Sequence, residues 1–193
     1  MKPFISVLIP VYNQEELICK AIDSIPLRDD IEIIVANDCS TDNTLKSLLS
    51  LDRKIILLNL KSRLNIGEVR NILVEMAKGD WVVWLDSDDS FKPEISKVFE
   101  LLNDSYDIVT LKGIQNDGRV RYMGQKYSCA MWLNIMKKWI YEKISFDNVE
   151  CGEDQLFQNK LKKLNLKILH SNILAYNYNF PREGSLAWYL HKH

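Results

Sequence analysis

The sequence lacks the features that define several common classes of protein. Its seven glycines form neither the G-x-G-x-x-G pattern of dinucleotide-binding loops nor the G-x-x-x-x-G-K-[ST] pattern of P-loops. Its formal net charge of -1 lacks the basic excess of a nucleic-acid-binding surface. We therefore expect no nucleic-acid partner, and bound phosphates would have to be held by side chains and a metal.

Cysteine is also sparse, and no pattern connects the few cysteines. The four of them are Cys19, Cys39, Cys129 and Cys151. Without a C-x-x-C pair or zinc-like clustering, they are typical of reduced, partly buried thiols in a cytosolic protein. The first apolar run is too short for a signal peptide or a membrane span. These absences favour a cytoplasmic protein.

The first half of the sequence alternates apolar runs with segments of helical spacing. The runs predict strands over residues 4–10, 31–36, 54–58 and 81–85. The segments between them predict helices over residues 17–25, 45–49 and 69–78. Pro10 is expected to end the first strand. Regular alternation of this kind predicts an α/β fold with a mostly parallel central sheet and helices on both faces.

The second half is less regular. Its patterns predict helices over about residues 95–102, 129–141 and 154–164, and strands over residues 107–112, 166–169 and 173–178. The aromatic residues Trp132, Trp139 and Tyr141 are interpreted as core residues, with a sugar-stacking acceptor surface as the alternative. Since no repeat or low-complexity linker divides the chain, we expect one domain over residues 1–193.

Polar clusters follow four predicted strands. They are Val11-Tyr12-Asn13, Asn37-Asp38-Cys39-Ser40, Asn65-Ile66-Gly67 and Asp86-Ser87-Asp88-Asp89. In a parallel sheet all strand-to-helix loops lie at one edge, where open α/β sheets bind ligands. We therefore expect these clusters to meet at a single crevice.

The fourth cluster is the most informative. An apolar run ends abruptly in Asp86, Asp88 and Asp89, three carboxylates within four positions. Neighbouring carboxylates repel one another, and a divalent cation relieves that repulsion. Mg²⁺ and Mn²⁺ prefer oxygen ligands and are often bound by one or two carboxylates together with substrate phosphates. The cluster predicts a metal–diphosphate site, with an acidic loop and helix cap as the alternative.

These segments together resemble the family 2 glycosyltransferases of the GT-A fold. The similar motifs are P10-V-Y-N13, EIIVANDCSTDNT at 32–44, N65-I-G-E-V-R-N71, GDWVVWLDSDD at 79–89, C151-G-E-D-Q-L-F157 and Y176-N-Y-N-F-P-R-E-G-S185. The resemblance implies a Rossmann-like nucleotide-binding half over about residues 1–90 and a smaller acceptor half over about residues 91–193. It also implies an inverting, metal-dependent transfer from a nucleotide-diphospho-sugar, most often a UDP-sugar.

The resemblance assigns the nucleoside pocket. Its expected lining is Pro10, Val11, Tyr12, Asn13 and Asp38. Asp38 would accept a hydrogen bond from the uracil N3–H, although taken alone it is equally typical of a turn or helix cap. Cys39 stands where the family more often has glycine, which suggests that the backbone there does not need a positive φ.

The resemblance also assigns the diphosphate end of the donor site. Asp86 would face the ribose or a metal-bound water, and Asp88 would bind Mn²⁺ or Mg²⁺, with Asp89 orienting or ligating. Ser87 is expected to contact the substrate. Arg70 matches the family's Arg-Asn pair and would contact the donor, with a solvated helix arginine as the alternative.

The last assignments concern the catalytic base and a distal loop. Asp154 matches the aspartate of the family's Glu-Asp pair and is the expected general base, with Glu153 as the second candidate. The alternative is a helix N-terminal carboxylate. Arg182 lies where the family often places a basic residue near the donor phosphates.

The resemblance leaves the acceptor open. A glycan or lipid-linked acceptor, as in surface polysaccharide synthesis, is expected at a site that is minimal, shared with a partner, or supplied elsewhere. Peripheral attachment to the inner face of the membrane is compatible with this role. The rival hypothesis is a catalytically idle GT-A-like module that binds nucleotide-sugars or acts as a scaffold. A sugar-phosphate nucleotidyltransferase is disfavoured, because residues 10–15 lack a basic, glycine-rich loop.

Overall fold

The computed structural model describes residues 2–122 and 131–180, and it shows a mixed α/β fold built on one sheet. Its strands are β1 (Ile5–Val11), β2 (Ile31–Asn37), β3 (Ile56–Asn59), β4 (Trp81–Trp84), β5 (Ser90–Phe91), β6 (Ile108–Gln115), β7 (Val120–Arg121), β8 (Asn134–Lys137) and β9 (Ile168–Tyr178). Its helices are α1 (Ile18–Asp23), α2 (Thr44–Leu49), α3 (Ile66–Met76), α4 (Ile95–Phe99), α5 (Lys138–Lys143) and α6 (Glu153–Leu161). The predicted α/β class is confirmed.

The first half of the sheet is parallel, as the alternation of strands and helices predicted. β1 pairs in parallel with β2 on one side and with β4 on the other, and β2 pairs in parallel with β3. The loops after β1, β2 and β4 therefore leave the sheet at the same edge. This arrangement brings polar residues from distant parts of the sequence to one place.

Beyond β4 the pairing is mixed. β8 runs antiparallel to β4 and to β6, while β9 runs parallel to β6 and antiparallel to β5. β7 pairs with β6 as an antiparallel hairpin. The sheet order is thus β3-β2-β1-β4-β8-β6-β9-β5.

The predicted helix over residues 129–141 was wrong in its centre. Within its described part, a short 3₁₀ turn at Met131–Leu133 leads directly into β8, and helix α5 begins only at Lys138. The side chains of Asn134, Ile135 and Met136 are fully or almost fully buried. Pairing with β4 and β6 overrides the moderate helix propensity of this segment.

Two further predictions about strands were wrong in their boundaries. β1 continues through Pro10 to Val11, because β4 pairs with β1 only as far as Leu8 and leaves one side of Pro10 without a strand neighbour. The two strands predicted over residues 166–178 are one strand, β9. Between Thr110 and Lys112 on β6, the partner on β9 advances from His170 to Leu174, so a bulge or irregularity places three residues of β9 opposite one residue of β6.

Apolar clusters cover both faces of the sheet. Alternating residues of β1 separate the two clusters, since Val7 and Ile9 face α1 and α4 while Leu8 faces α3, α5 and α6. Trp132 and Tyr141 are buried in these clusters, as predicted, whereas the side chain of Trp139 is 37% exposed. The helices packed on both faces hold the sheet in place, and with it the edge at which the polar loops meet.

β3 lies at one end of the sheet order. Among the described residues, β2 is its strand neighbour, and its other side faces away from the sheet. Ile56 on this strand is 38% exposed. Within residues 2–122 and 131–180, no helix combines the length and apolar character that a membrane crossing requires.

Gly113 on β6 allows a close approach of Trp132. A Cβ atom at this position would lie 2.3 Å from Cζ3 of the Trp132 ring, which is far inside van der Waals contact. We expect Gly113→Ala to lower the free energy of unfolding by about 1–3 kcal/mol, the usual cost of overpacking a core. Denaturant unfolding measures the change.

The matched control for this prediction is the double variant Gly113→Ala with Trp132→Leu. If the clash with the indole is the cause, Gly113→Ala should cost much less in the Trp132→Leu background than in the wild-type protein. Equal costs in the two backgrounds would contradict this explanation.

Candidate active site

The four polar clusters meet at one cavity, which confirms the convergence predicted from the sequence. The cavity has a volume of about 230 Å³ at the edge where the parallel strands end. It is lined by Pro10, Val11, Tyr12, Asp38, Arg63, Leu64, Ile66, Val69, Asp86, Ser87 and Asp88. Side chains far apart in sequence are therefore available to one ligand.

One end of the cavity is organised by Asp38. Its Oδ1 accepts a hydrogen bond from the Leu64 backbone N–H at 3.0 Å, and its Oδ2 accepts from Nη1 of Arg63 at 2.7 Å. The guanidinium of Arg63 lies 3.5 Å from the centre of the Tyr12 ring. Asp38 is thus a buried acceptor beside an aromatic face, not a helix cap.

Arg63 was missed by the sequence analysis. Its nearest signal is its position two residues before the Asn65-Ile66-Gly67 cluster, and basic residues in loops are too common for that to be decisive. The structure brings it into the cavity through Asp38 and Tyr12.

The prediction about Cys39 was wrong. Its φ is +56°, in the left-handed region, although the residue is not glycine. Such a conformation costs about 1–2 kcal/mol for a residue with a Cβ. Local bonds hold it, because Cys39 Sγ donates to the Leu60 carbonyl at 3.1 Å and the Asp38 N–H donates to the Val11 carbonyl at 2.9 Å.

The loops after β1 and β2 are bound to each other. Asn13, also at positive φ (+49°), donates its backbone N–H to Ser40 Oγ at 3.0 Å. Its side-chain Oδ1 accepts the backbone N–H of Thr41 at 2.8 Å. Asn13 therefore fixes the relative position of the two loops, and it does not line the cavity itself.

The other end of the cavity is formed by the loop after β4. Asp86, Ser87 and Asp88 line the cavity, as predicted. Asp89 is buried and accepts hydrogen bonds from the Tyr176 hydroxyl and the Asn179 backbone N–H, both at 2.8 Å. These bonds give Asp89 a structural function, and its function as a metal ligand stays a prediction.

The motif N65-I-G-E-V-R-N71 forms the start of α3. Asn65 and Glu68 form a reciprocal capping box, in which Glu68 Oε2 accepts the Asn65 N–H at 3.1 Å. A Cβ atom at Gly67 would lie 2.2 Å from the Asp147 carbonyl oxygen, so only glycine allows this approach. Asn71 exchanges two hydrogen bonds with the backbone of Phe146, at 2.9 and 3.0 Å. Together these contacts hold the segment that leads into α6 against α3.

Arg70 lies inside this arrangement and is buried, so the alternative of a solvated helix arginine was wrong. Its guanidinium nitrogens lie 3.6 Å from Asp86, 3.6 Å from Glu153 and 3.9 Å from Asp154. It also lies 4.9 Å from the ring centre of Trp84. One cation thus joins the acidic loop after β4 to the predicted catalytic pair on α6.

Glu153 and Asp154 occupy the first turn of α6, so the helix N-terminal position foreseen as the alternative is also real. The side chain of Asp154 is 26% exposed and that of Glu153 only 11%. Oδ1 of Asp154 is buried and has no hydrogen-bond partner. Neither residue lines the cavity, and Asp154 is the more accessible of the two carboxylates.

Burial and the charges of neighbouring carboxylates both raise the pKa values of Asp154 and Asp86, whereas Arg70 lowers them. Burial raises the pKa of Asp154 to about 7, with Arg70 opposing and the charges of Glu153 and Asp86 adding to the rise. Burial likewise raises the pKa of Asp86, against the lowering effect of Arg70, and Asp88 and Glu153 raise it further. The site holds more negative charge than Arg70 compensates.

The chemistry of this cavity fits a divalent cation bound together with phosphates. Asp86 and Asp88 offer carboxylate oxygens to the same cavity, and the pKa of Asp86 is raised first by burial and then by the charges of Asp88 and Glu153, an environment that a cation would relieve. Within the described residues, no three His, Cys, Asp or Glu side chains form a ligand set by themselves. The carboxylates of Asp86 and Asp88 suit Mg²⁺ or Mn²⁺, which usually complete their coordination with water and substrate phosphate.

Arg182, which was predicted to lie near the donor phosphates, lies outside the described residues.

The fold and the site define the GT-A class of glycosyltransferases. The structure matches the crystal structure of Staphylococcus aureus TarS residues 1–349 in complex with UDP-GlcNAc, with a TM-score of 0.80 and 27% sequence identity. The match covers 96% of this chain and 60% of that one. The sequence matches Glycosyl transferase family 2 over residues 6–152, and the chain belongs to this family.

Curated relatives agree with this assignment. The chain is 29% identical to the poly(ribitol-phosphate) beta-N-acetylglucosaminyltransferase TarS of Staphylococcus aureus (strain Mu50), over 93% of this chain and 36% of TarS. It is 26% identical to the glycosyltransferase GlyA of Streptococcus pneumoniae serotype 4, over 95% of this chain and 31% of GlyA. The chain therefore spans about a third of the length of these relatives.

Replacing the positively charged Arg70 tests how far its charge stabilises the buried carboxylates around it. We expect Arg70→Met to lower the free energy of unfolding by about 3–5 kcal/mol at about pH 8, because it leaves buried carboxylates without their partner. The loss should be smaller at about pH 5, where Asp154 is protonated in the folded protein. Urea unfolding at the two pH values measures both effects.

The control for this prediction is Arg119→Met, which removes an arginine paired with Asp117 on the surface. This variant should change stability little at either pH, because exposed ion pairs contribute little. If Arg70→Met cost the same at both pH values, the loss would come from packing and not from charge.

Proposed function

We propose that the chain is the catalytic domain of a metal-dependent inverting glycosyltransferase that uses a UDP-sugar. The observation that carries this proposal is the position of Asp154, which Arg70 joins to Asp86 beside the cavity. Inversion in one step requires a base on the opposite side of the anomeric carbon from the leaving group. Asp154 and the acidic loop come from different segments and meet around one guanidinium, which supports a base from one segment acting near a diphosphate held by the other.

The nucleoside end of the cavity favours uridine. Uracil offers an N3–H donor, and Asp38 is a buried carboxylate acceptor beside the face of Tyr12. Each carboxylate oxygen has more than one lone pair, so Asp38 retains acceptor capacity beyond its bonds to Leu64 and Arg63. The TarS structure that the chain matches contains UDP-GlcNAc, which supports a uridine nucleotide here as well.

The transfer itself is a single displacement. The acceptor hydroxyl oxygen forms the new bond to the anomeric carbon, and its proton passes to the carboxylate of Asp154. The bond from that carbon to the diphosphate breaks, and its electron pair remains on the leaving UDP. A Mn²⁺ or Mg²⁺ ion held by Asp86 and Asp88 would supply the positive charge that stabilises this leaving group.

The acceptor class follows from the relatives. TarS acts, by its name, on poly(ribitol phosphate), and a relative in Bacillus spizizenii is a poly(ribitol-phosphate) beta-glucosyltransferase. We infer that the acceptor is a glycan or polyol of a bacterial surface polysaccharide, with a lipid-linked acceptor as the alternative. The second half of the chain, about residues 91–193, is proposed to carry part of its site.

Turnover of nucleotide-sugars separates this proposal from an idle binding module. Purified protein is incubated with a panel of radiolabelled nucleotide-sugars and Mn²⁺, with and without surface polysaccharide. Transfer or slow hydrolysis of a UDP-sugar, lost in Asp154→Asn, supports the enzyme. Binding of the donor without any consumption supports the idle module.

The metal site is tested by Asp88→Ala. This variant should lose Mn²⁺-dependent UDP binding, measured by calorimetry, while the melting temperature of the metal-free protein changes by no more than about 2 °C. Asp52→Ala removes an exposed aspartate that does not line the cavity, and it should retain binding. A large loss of stability in Asp88→Ala would show that the acidic loop is mainly structural.

The base is tested by Asp154→Asn. This variant should bind UDP normally and lose about 10²- to 10⁴-fold in turnover, the usual contribution of a general base. In the wild-type protein, turnover should rise with pH through about 7, because Asp154 accepts a proton only when it is ionised. Near-normal turnover of Asp154→Asn would move the assignment to Glu153.

The same variant has an expected effect on stability. The pKa of Asp154 is higher in the folded protein than in the unfolded chain, so protonation stabilises the fold at low pH. This contribution is lost as the pH rises through about 7, and the ionised carboxylate then destabilises the fold. Asp154→Asn should therefore melt higher than wild type at about pH 8 and similarly at about pH 5. A lower melting temperature at pH 8 would contradict this account.

A further inference from the structure

Tyr176 on β9 contacts both ends of the acidic loop, Asp86–Asp89. Its hydroxyl accepts a hydrogen bond from the Asp86 backbone N–H at 3.1 Å and donates one to Asp89 Oδ2 at 2.8 Å. The second oxygen of Asp89 accepts the backbone N–H of Asn179 at 2.8 Å. A turn inside the loop, from the Asp89 N–H to the Asp86 carbonyl at 3.0 Å, completes the arrangement.

The position of this hydroxyl is fixed by the packing of its ring. Tyr176 is completely buried and stacks on Trp132, with ring centres 4.5 Å apart and an angle of 18° between the planes. The ring of Phe91 on β5 packs against it in an edge-to-face arrangement, with ring centres 5.7 Å apart. Trp132 in turn lies against Gly113 on β6. Residues from β5, β6 and the turn before β8 thus determine where the Tyr176 oxygen lies.

The hydroxyl is buried beside the acidic loop, and burial raises the pKa of Tyr176, with the charges of Asp89 and Asp86 adding to the rise. Asp89 therefore receives a hydrogen bond at a position where an unpaired carboxylate would be costly. Between the two residues that Tyr176 contacts lie Ser87 and Asp88, which line the cavity.

We propose that Tyr176 is a positioning residue that holds the Asp86–Asp89 loop in the shape that presents Asp88 to the donor diphosphate. The proposal rests on the function proposed above for the metal–diphosphate end. Tyr176 lines no part of the cavity and touches no substrate, so its effect passes through the loop backbone and Asp89. The second half of the sheet thereby contributes to a donor site whose side chains come from the first half.

The test uses Tyr176→Phe, which removes one oxygen atom and keeps the ring. The matched control is Tyr178→Phe on the same strand, because Tyr178 packs on the same Trp132 ring at 4.9 Å and is not bonded to the acidic loop. Hydrogen exchange of the Asp86 backbone amide, followed by NMR without ligand, is the first measurement. It should be about tenfold faster in Tyr176→Phe, since this amide loses its hydrogen bond to the hydroxyl, a change of about 1.4 kcal/mol. It should be unchanged in Tyr178→Phe.

The second measurement separates positioning from general loss of structure. Binding of UDP with Mn²⁺ should weaken about tenfold in Tyr176→Phe, whereas binding of uridine should stay within about twofold, because other segments build the nucleoside end. Both variants should unfold cooperatively, with Tyr176→Phe melting no more than about 8 °C below Tyr178→Phe. A general structural defect would instead weaken uridine and UDP equally, and this outcome overturns the proposal.

Two other outcomes are decisive. Unchanged exchange of the Asp86 amide in Tyr176→Phe overturns the positioning role, whatever the binding data. Failure of the wild-type protein to bind UDP with Mn²⁺ overturns the proposed function instead. The exchange measurement needs no ligand, so it still decides whether Tyr176 orders the loop.

Discussion

The candidate active site depends on one buried guanidinium that joins carboxylates from two elements of the fold. Arg70 extends from α3 and reaches the loop after β4 and the first turn of α6. Each carboxylate in this cluster has lost part of its hydration, and the attraction to Arg70 offsets only part of that cost. The position of Asp154 relative to the donor cavity is therefore set by an interaction that also determines how readily Asp154 is ionised.

The nucleoside end of the cavity is organised separately. Tyr12, Asp38 and Arg63 belong to the parallel first half of the sheet, and none of them contacts Arg70 in the structure. Loop contacts around Asn13 and a left-handed Cys39 hold this end without help from α6. The proposed base-recognition end and the proposed catalytic carboxylate are consequently held by different segments, which meet at Asp86 and Asp88.

The sequence predicted the parts of the fold that local periodicity and topology determine. Apolar runs alternating with helical spacing indicated the parallel strands, and the rule that their loops share an edge predicted the convergence of residues as distant as Tyr12 and Asp88. It failed where long-range pairing decides the outcome, as at residues 134–137, which form a strand only because β4 and β6 flank them. It also failed for Arg63 and Tyr176, whose importance lies in tertiary contacts that no spacing encodes.

One feature of the fold bears on the behaviour of the protein in concentrated solution. The outer side of β3 presents backbone N–H and C=O groups and the partly exposed Ile56. Such an edge is a template for hydrogen bonding with a strand of another molecule. Exposed Lys54 and Lys61 stand just before and just after this strand. Antiparallel association of two such edges would bring the lysines of two copies together, and their mutual repulsion opposes aggregation. Neutralising these two charges would therefore be expected to reduce solubility without altering the fold.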